Sequence, residues 1–166
     1  MYKHILHPTD GSDGAHAALE HTRDLAEKYD ATVHVLYVVD TSGLGGGMAD
    51  DQRNVDSSGM SSNPKGSGTG MAGRRETGPQ IAQRKEEYGE EAVAKAAEYL
   101  DGLDVETMVE HGKPHNVILN HADDGMDLIV MGTHGRTGLE RYLLGSVTEK
   151  VVRMSDVPVV TVRQDS

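Results

Sequence analysis

Apolar positions in this 166-residue chain switch repeatedly between strand-like and helical spacing. The opening stretch "YKHILHPT", Tyr2 to Thr9, is short, contains Ile5 and Leu6, and runs into Pro-Thr-Asp-Gly, so it predicts a strand stopped by turn chemistry. Ser12 or Asp13 can cap the helix that follows, in which Ala15, Ala18, Leu19, Thr22, Leu25, Ala26 and Tyr29 share one face. "ATVHVLYVVD" is Val-rich and nearly continuously apolar after His34, which suits a parallel strand covered on both faces. Ile81, Tyr88, Ala92, Ala96, Tyr99 and Leu100 mark a second helix ended by Gly102. "DVETMVEHG" alternates Val105, Thr107 and Val109 and reads as a third strand. A helix opened by Pro114 then carries Val117, Ile118 and His121 and stops near Gly125. "MDLIVMG", "SVTEKVVRMS" and "VPVVTVR" complete the series as strand, helix and strand.

Strands alternating with helices imply right-handed crossovers and a mainly parallel sheet with helices on both faces. Five strands in this order predict an α/β fold, a single-domain doubly wound sandwich whose first strand is central. Ligands in such sheets sit beyond the carboxyl ends of the strands, where this chain carries "PTDGSD" and "MGTHG". One segment departs from the alternation. Gly43 to Gly78 holds ten of the 20 glycines, together with many Ser and Met residues, and its composition favours a flexible insertion at about 43–79. Its "GLGGG" opens no helix and lacks a Gly-Lys-Ser/Thr ending, so it carries little weight as a phosphate loop. Met48, Met60 and Met71 could form an adaptable contact surface.

Composition narrows the function classes. There is no Cys, which excludes disulfides and thiolate metal sites, and the net charge of −11 argues against a general nucleic-acid surface. No apolar run approaches the ~20 residues needed to span a membrane. The N-terminus lacks the basic and long apolar regions of a secretory signal, so a cytoplasmic protein is expected. The 27 acidic against 16 basic residues fit either an ordinary acidic protein or a halophilic surface whose self-repulsion is screened by salt.

"MGTHGRTGLERYLLGSVTEK" concentrates the candidate chemistry. Glycine is kept where the backbone needs unusual dihedrals or a close neighbour. Gly132 and Gly135 can let backbone pass close to an anion. Gly145-Ser146-Val147 opens a helix whose free N–H groups and dipole favour phosphate, and Ser146 and Thr148 add hydroxyl donors. The spacing is Gly132, two residues, Gly135, nine residues, Gly145-Ser146, which is neither a Walker sequence nor a dinucleotide fingerprint.

Together with "ILHPTDGSD", "VLYVVD" and the C-terminal "VPVVTVR", this pattern resembles the universal stress proteins of the UspA type over nearly everything outside the 43–78 segment. The Gly-x-x-Gly, nine residues, Gly-Ser pattern marks the ATP-binding branch of that family. The resemblance implies strand order 3-2-1-4-5 in an adenine nucleotide alpha hydrolase-like fold, and a homodimer paired through the fifth strand. It implies that Asp10 contacts ribose or adenine, with Pro8 and Thr9 shaping the pocket. Val38 would offer backbone groups to adenine, and Met131 and Gly132 would lie against the nucleoside and α-phosphate. Gly135, Gly145, Ser146 and Val147 would cradle the phosphates of ATP, ADP or AMP.

Blander roles compete at several positions. Asp10 could simply cap the first helix. Arg136 and Arg141 could neutralise phosphate or be solvated, and His134 could reach phosphate or be a polar loop residue. His111 and His115 are separated by Gly112 and Pro114, against a helical pair of metal ligands. Asp10 and Asp13 could hold Mg²⁺ through bound water. Three readings stay open: an ATP-binding regulatory protein with slow hydrolysis at most, an ATPase or phosphotransferase, and a partner-binding module that uses the 43–78 segment. The 43–78 segment could act as a lid over the nucleotide, with Arg74 and Arg75 as its phosphate contacts, or be a passive insertion that tolerates deletion.

Overall fold

The computed structural model of the chain describes residues 1–43, 77–135 and 143–164. The expectations for Met48, Met60, Met71, Arg74, Arg75, Arg136 and Arg141 lie outside these residues. The elements run β1 (His4–Pro8), α1 (Asp13–Tyr29), β2 (Thr32–Asp40), α2 (Gly78–Tyr99), β3 (Val105–Gly112), α3 (Pro114–Asp123), β4 (Leu128–Gly132), α4 (Ser146–Met154) and β5 (Val159–Val162). All strand pairs are parallel and the sheet order is β3-β2-β1-β4-β5, with β1 central as the alternation requires. Register is set by Ile5 beside Val33 on one side and Leu128 on the other, and by Gly132 beside Val162.

Side-chain alternation on the strands divides the core in two. Ile5, Val33, Val35, Leu128 and Val130 pack under α1 and α2 against Leu19, Ala26, Val93 and Leu100. Leu6, Leu36, Ile129 and Met131 pack on the other face against Ile118 of α3 and Val151 of α4. Burial on both faces explains why β2 and β4 read as continuous apolar runs.

Local chemistry sets the element ends. Ser12 is the N-cap of α1, its Oγ accepting from the Ala15 N–H at 3.2 Å. Asp10 is therefore not the cap. Its Oδ1 accepts from the Ser12 N–H at 3.0 Å and tightens the turn leaving β1. Along α2, Gly89 and Val93 are buried while Tyr88 is half exposed, a shift from the expected stripe. The missing side chain at Gly89 lets the Tyr37 ring of β2 occupy the space where a Cβ would sit. The strong alternation of β3 is only partly realised. Val105 and Val109 pack against the core and Thr107 is exposed, because β3 is an edge strand.

Candidate functional site

β1, β2 and β4 run parallel and all end at the same edge of the sheet. A cavity of about 380 Å³ opens between these ends. Pro8, Thr9, Asp10, Val38, Met131, Gly132, Gly135, Gly145, Ser146 and Val147 all line it. The ten residues singled out in the sequence thus come together from β1, β2, β4 and the start of α4.

The backbone of β2 gives one wall its chemistry. The Leu36 carbonyl accepts from the Thr9 N–H at 2.8 Å, so even-numbered residues of β2 aim their amide groups toward β1. The β1 pairing ends with Pro8 beside Leu36. Two residues on, Val38 presents its N–H and C=O to the side where β1 has already stopped, which makes a donor and acceptor pair on the cavity wall. The Asp40 carbonyl, at the tip of the same strand, accepts from Lys85 Nζ at 3.2 Å. The hydrogen bonds from Ser42 hold the Asp40 carboxyl below the usual carboxylate range.

The opposite wall is the loop–helix junction of α4. Gly145 is the N-cap, and having no side chain it cannot cap as Ser12 does for α1. The first turn of α4 therefore keeps its N–H groups free of a capping side chain, and the helix dipole adds partial positive charge there. Ser146 is exposed at this turn. Thr148 is not the donor expected of it. It is buried, and its Oγ1 donates to the Gly132 carbonyl at 2.9 Å, tying α4 to the end of β4.

The glycines have protein neighbours of their own. A Cβ on Gly132 would meet the carbonyl carbon and oxygen of Gly14 at 2.8 Å, and a Cβ on Gly135 would meet Asp10 Oδ2 at 2.5 Å. A Cβ on Gly145 would lie 3.3 Å from the Thr133 carbonyl oxygen, which accepts from the Gly145 N–H at 2.8 Å. The close approach inferred from the glycine spacing is thus, in the first instance, an approach of this chain to itself.

His134 lines the cavity with Nδ1 3.0 Å from Thr133 Oγ1, and its Nε2 is buried with no hydrogen-bond partner among the described residues. Asp13 does not join Asp10. It lines a separate cavity between α1 and α2, because it begins α1 while Asp10 precedes the turn. His111 lies in β3, 3.6 Å from Glu86, and His115 in α3. Among the described residues, no group of three His, Asp or Glu side chains is placed to hold a metal. Lys85, Pro114 and Ile118 also line the cavity and were not singled out in the sequence. Pro114 and Ile118 follow β3 at the same sheet edge, so topology could have suggested them. Lys85 sits on a charged helical stretch with no local signal.

The universal stress protein family model matches residues 1–163. The chain belongs to that family. Among curated relatives, universal stress protein MJ0531 of Methanocaldococcus jannaschii is 35% identical over 99% of this chain and 84% of its own length. Universal stress protein MJ0577 of the same organism is 33% identical over 99% of this chain and 96% of its own length. The solved MJ0577 structure superposes with a TM-score of 0.77 at 29% identity, covering 100% of this chain and 99% of that one. More distant structures share the fold. A universal stress protein in complex with cAMP has a TM-score of 0.58 at 21% identity, covering 98% of this chain and 97% of that one. One from Archaeoglobus fulgidus in complex with dAMP has a TM-score of 0.55 at 20% identity, covering 97% of each chain. Universal stress proteins thus include nucleotide complexes on this same architecture. No helix among the described residues is long and apolar enough to cross a membrane.

Proposed function

We propose that this universal stress protein binds an adenine nucleotide, ATP foremost, in the cavity at the ends of β1, β2 and β4, and works as a nucleotide-dependent regulatory homodimer with slow hydrolysis at most. The observation that carries the reading is the pairing of two recognition surfaces across β1. The free amide edge of Val38 lies on one side and the uncapped N-terminus of α4 on the other. β2 and β4 flank β1, so these walls stand roughly 10 Å apart, two strand spacings. Adenine offers an acceptor and a donor on one edge, matching the Val38 N–H and C=O. Asp10 between the walls suits ribose hydroxyls, and Pro8 and Met131 give the nucleoside an apolar bed. The α-, β- and γ-phosphates then face Gly132, Gly135 and the Gly145-Ser146-Val147 turn. The volume lies within the ~300–1,000 Å³ range of small-molecule sites. The cAMP and dAMP complexes of family members support an adenine nucleotide as the ligand class.

Mg²⁺ would arrive with the nucleotide. The Asp10 carboxylate lies against Gly135, and an ion held by phosphate oxygens would meet it through bound water. The second copy would pair along β5, where Val160 is exposed at the sheet edge and Val152 and Met154 are exposed on the neighbouring α4.

Ser146→Asp tests the site. The new carboxylate would stand at the N-terminus of α4, where it suits the helix dipole and leaves folding intact. It would also face the phosphates. Two charges ~4 Å apart interact by about 1–4 kcal/mol between the limits of water and a protein surface, which is about fivefold to nearly a thousandfold in affinity. Isothermal titration with ATP, AMP and adenosine should show the loss in the order ATP, then AMP, then adenosine. Equal affinities of wild type and variant for ATP refute the phosphate assignment. Nucleotide identified by mass spectrometry in the purified wild type tests the reading independently.

A further inference from the structure

The strands start at the sheet edge opposite the candidate site, and three titratable side chains meet in a row near those starts. His4 opens β1, His34 lies on β2, and Glu106 of β3 is the neighbour of His34 across the ladder. His4 Nδ1 is 3.1 Å from His34 Nε2, and His34 Nδ1 is 3.2 Å from Glu106 Oε2. The two ring centroids are 5.3 Å apart. That is nearly the nitrogen separation plus both ring radii, so the nitrogens face each other end to end, as a donor and a lone pair do. His34 is buried, whereas His4 and Glu106 are exposed.

The chemistry of the ends fixes where each hydrogen sits. A lone pair on His34 Nδ1 would face the Glu106 carboxylate, which only accepts, so Nδ1 carries the hydrogen and Nε2 the lone pair. The hydrogen between the rings therefore belongs to His4 Nδ1, which donates to His34 Nε2. His4 Nε2 takes no part in the pair and can receive a proton from water. That first proton leaves the bridging hydrogen in place and makes its donor a cation, which strengthens the bond. A second proton on the rings has only His34 Nε2 to go to. It sets N–H against N–H at 3.1 Å between two cations, and the contact must break.

The surroundings keep the second proton off until the solution is acid. Burial lowers the pKa of His34; Glu106 and Asp104, which precedes β3, favour its cation, while His4 and His121 of α3 oppose it. His121 is itself 2.7 Å from Glu110 of β3. On the β1 side, Asp127 accepts from the Lys3 and His4 amides and faces His4 and the amino terminus.

We propose that His4, His34 and Glu106 form an acid-operated latch at the base of the sheet, which the first proton tightens and the second opens. Closed, it ties the first residue of β1 through β2 to the edge strand β3. Open, it leaves β1 held by its backbone, since the Thr32 N–H donates to the Lys3 carbonyl at 2.9 Å and the Asp127 N–H to the His4 carbonyl at 2.8 Å. The base of the sheet loosens without coming apart. The latch lies at the opposite end of the strands from the nucleotide reading and does not depend on it.

Full-length protein labelled with ¹⁵N in its histidine rings, titrated from about pH 8 to about pH 4, tests the latch. A ¹⁵N–¹⁵N coupling across the hydrogen bond should join His4 Nδ1 to His34 Nε2 at the start. His4 should take its proton first with the coupling retained, and the coupling should vanish as His34 takes the second. It is read in the wild type and needs no variant. His4→Gln cannot carry a proton and should move the His34 midpoint up by at least about 0.5 pH unit. Glu106→Gln removes the facing carboxylate and should move it down by at least about 0.3 pH unit. Both changes are at exposed positions, and amide spectra check that the variants fold. Absence of the coupling at the start overturns the proposal, as does protonation of His34 before or together with His4. A coupling that outlasts the second proton, or a His34 midpoint unmoved in either folded variant, overturns it as well.

Discussion

A neutral histidine locked in the core makes this protein acid-sensitive in a way that one substitution can isolate. His7 has no exposed surface, and its Nδ1–H is committed to Val130. Its pKa falls from 6.5 to about 4, chiefly because burial penalises the charged ring. In the unfolded chain the ring takes a proton near pH 6.5, whereas in the folded chain it does so only near 4. Between these values the unfolded state binds more protons, so stability rises with pH across the window and its full value is present only above 6.5. Lowering pH from 7.5 to 4.5 should therefore remove about 2–3 kcal/mol through His7 alone. Asp40 and Asp127, whose pKa values are lowered by hydrogen bonds from Ser42 and from the Lys3 and His4 amides, titrate at the acid end and add their own loss. The His7→Asn variant subtracts them, because it keeps those carboxylates and lacks the titrating ring. Urea unfolding at pH 7.5 and 4.5 should show wild type losing about 2–3 kcal/mol more than the variant. If the two lose the same within about 0.5 kcal/mol, His7 titrates normally and its burial has been misread.

Gly132→Ala should destabilise the fold by about 1–3 kcal/mol in urea unfolding, because its methyl would meet backbone atoms of Gly14 that cannot swing aside; an unchanged midpoint contradicts that packing. If the net charge of −11 is adapted to salt, the melting temperature should rise as KCl goes from about 0.1 M to 1 M, and a flat or falling value removes the halophilic reading. Val160→Lys places a charge on the exposed edge of β5 and should convert a homodimer to monomer in sedimentation; a dimer of unchanged stability puts the interface elsewhere.

A parallel sheet with β1 central was legible because β1 to β4 are each followed by a helix of different period, whereas the order 3-2-1-4-5 came with the family resemblance. The lining of the first cavity was legible because resemblance fixed which sheet-edge residues to gather. What stayed hidden depends on neighbours across the sheet. Thr148 looks like a free hydroxyl along the chain, but helical phase turns it inward onto Gly132. Asp13 is three residues from Asp10, yet the first residue of α1 points to the α2 side. His7 is one polar letter in an apolar strand, and only the register with β4 shows which of its nitrogens is satisfied. Lys85 reaches the cavity through a crossover, which no local spacing encodes.

The glycine contacts bear on how binding would work. Had Gly132, Gly135 and Gly145 been kept only for a ligand, nothing in the protein would hold these positions, and the ligand would have to order them at roughly 1–2 kcal/mol per residue. Instead each is pinned by the chain: Gly132 against the start of α1, Gly135 against Asp10, and Gly145 through its N–H to Thr133. These contacts also bring Asp10 to the loop and set α4 with its first turn toward the cavity. The positions that would meet phosphate are therefore shaped before any ligand arrives.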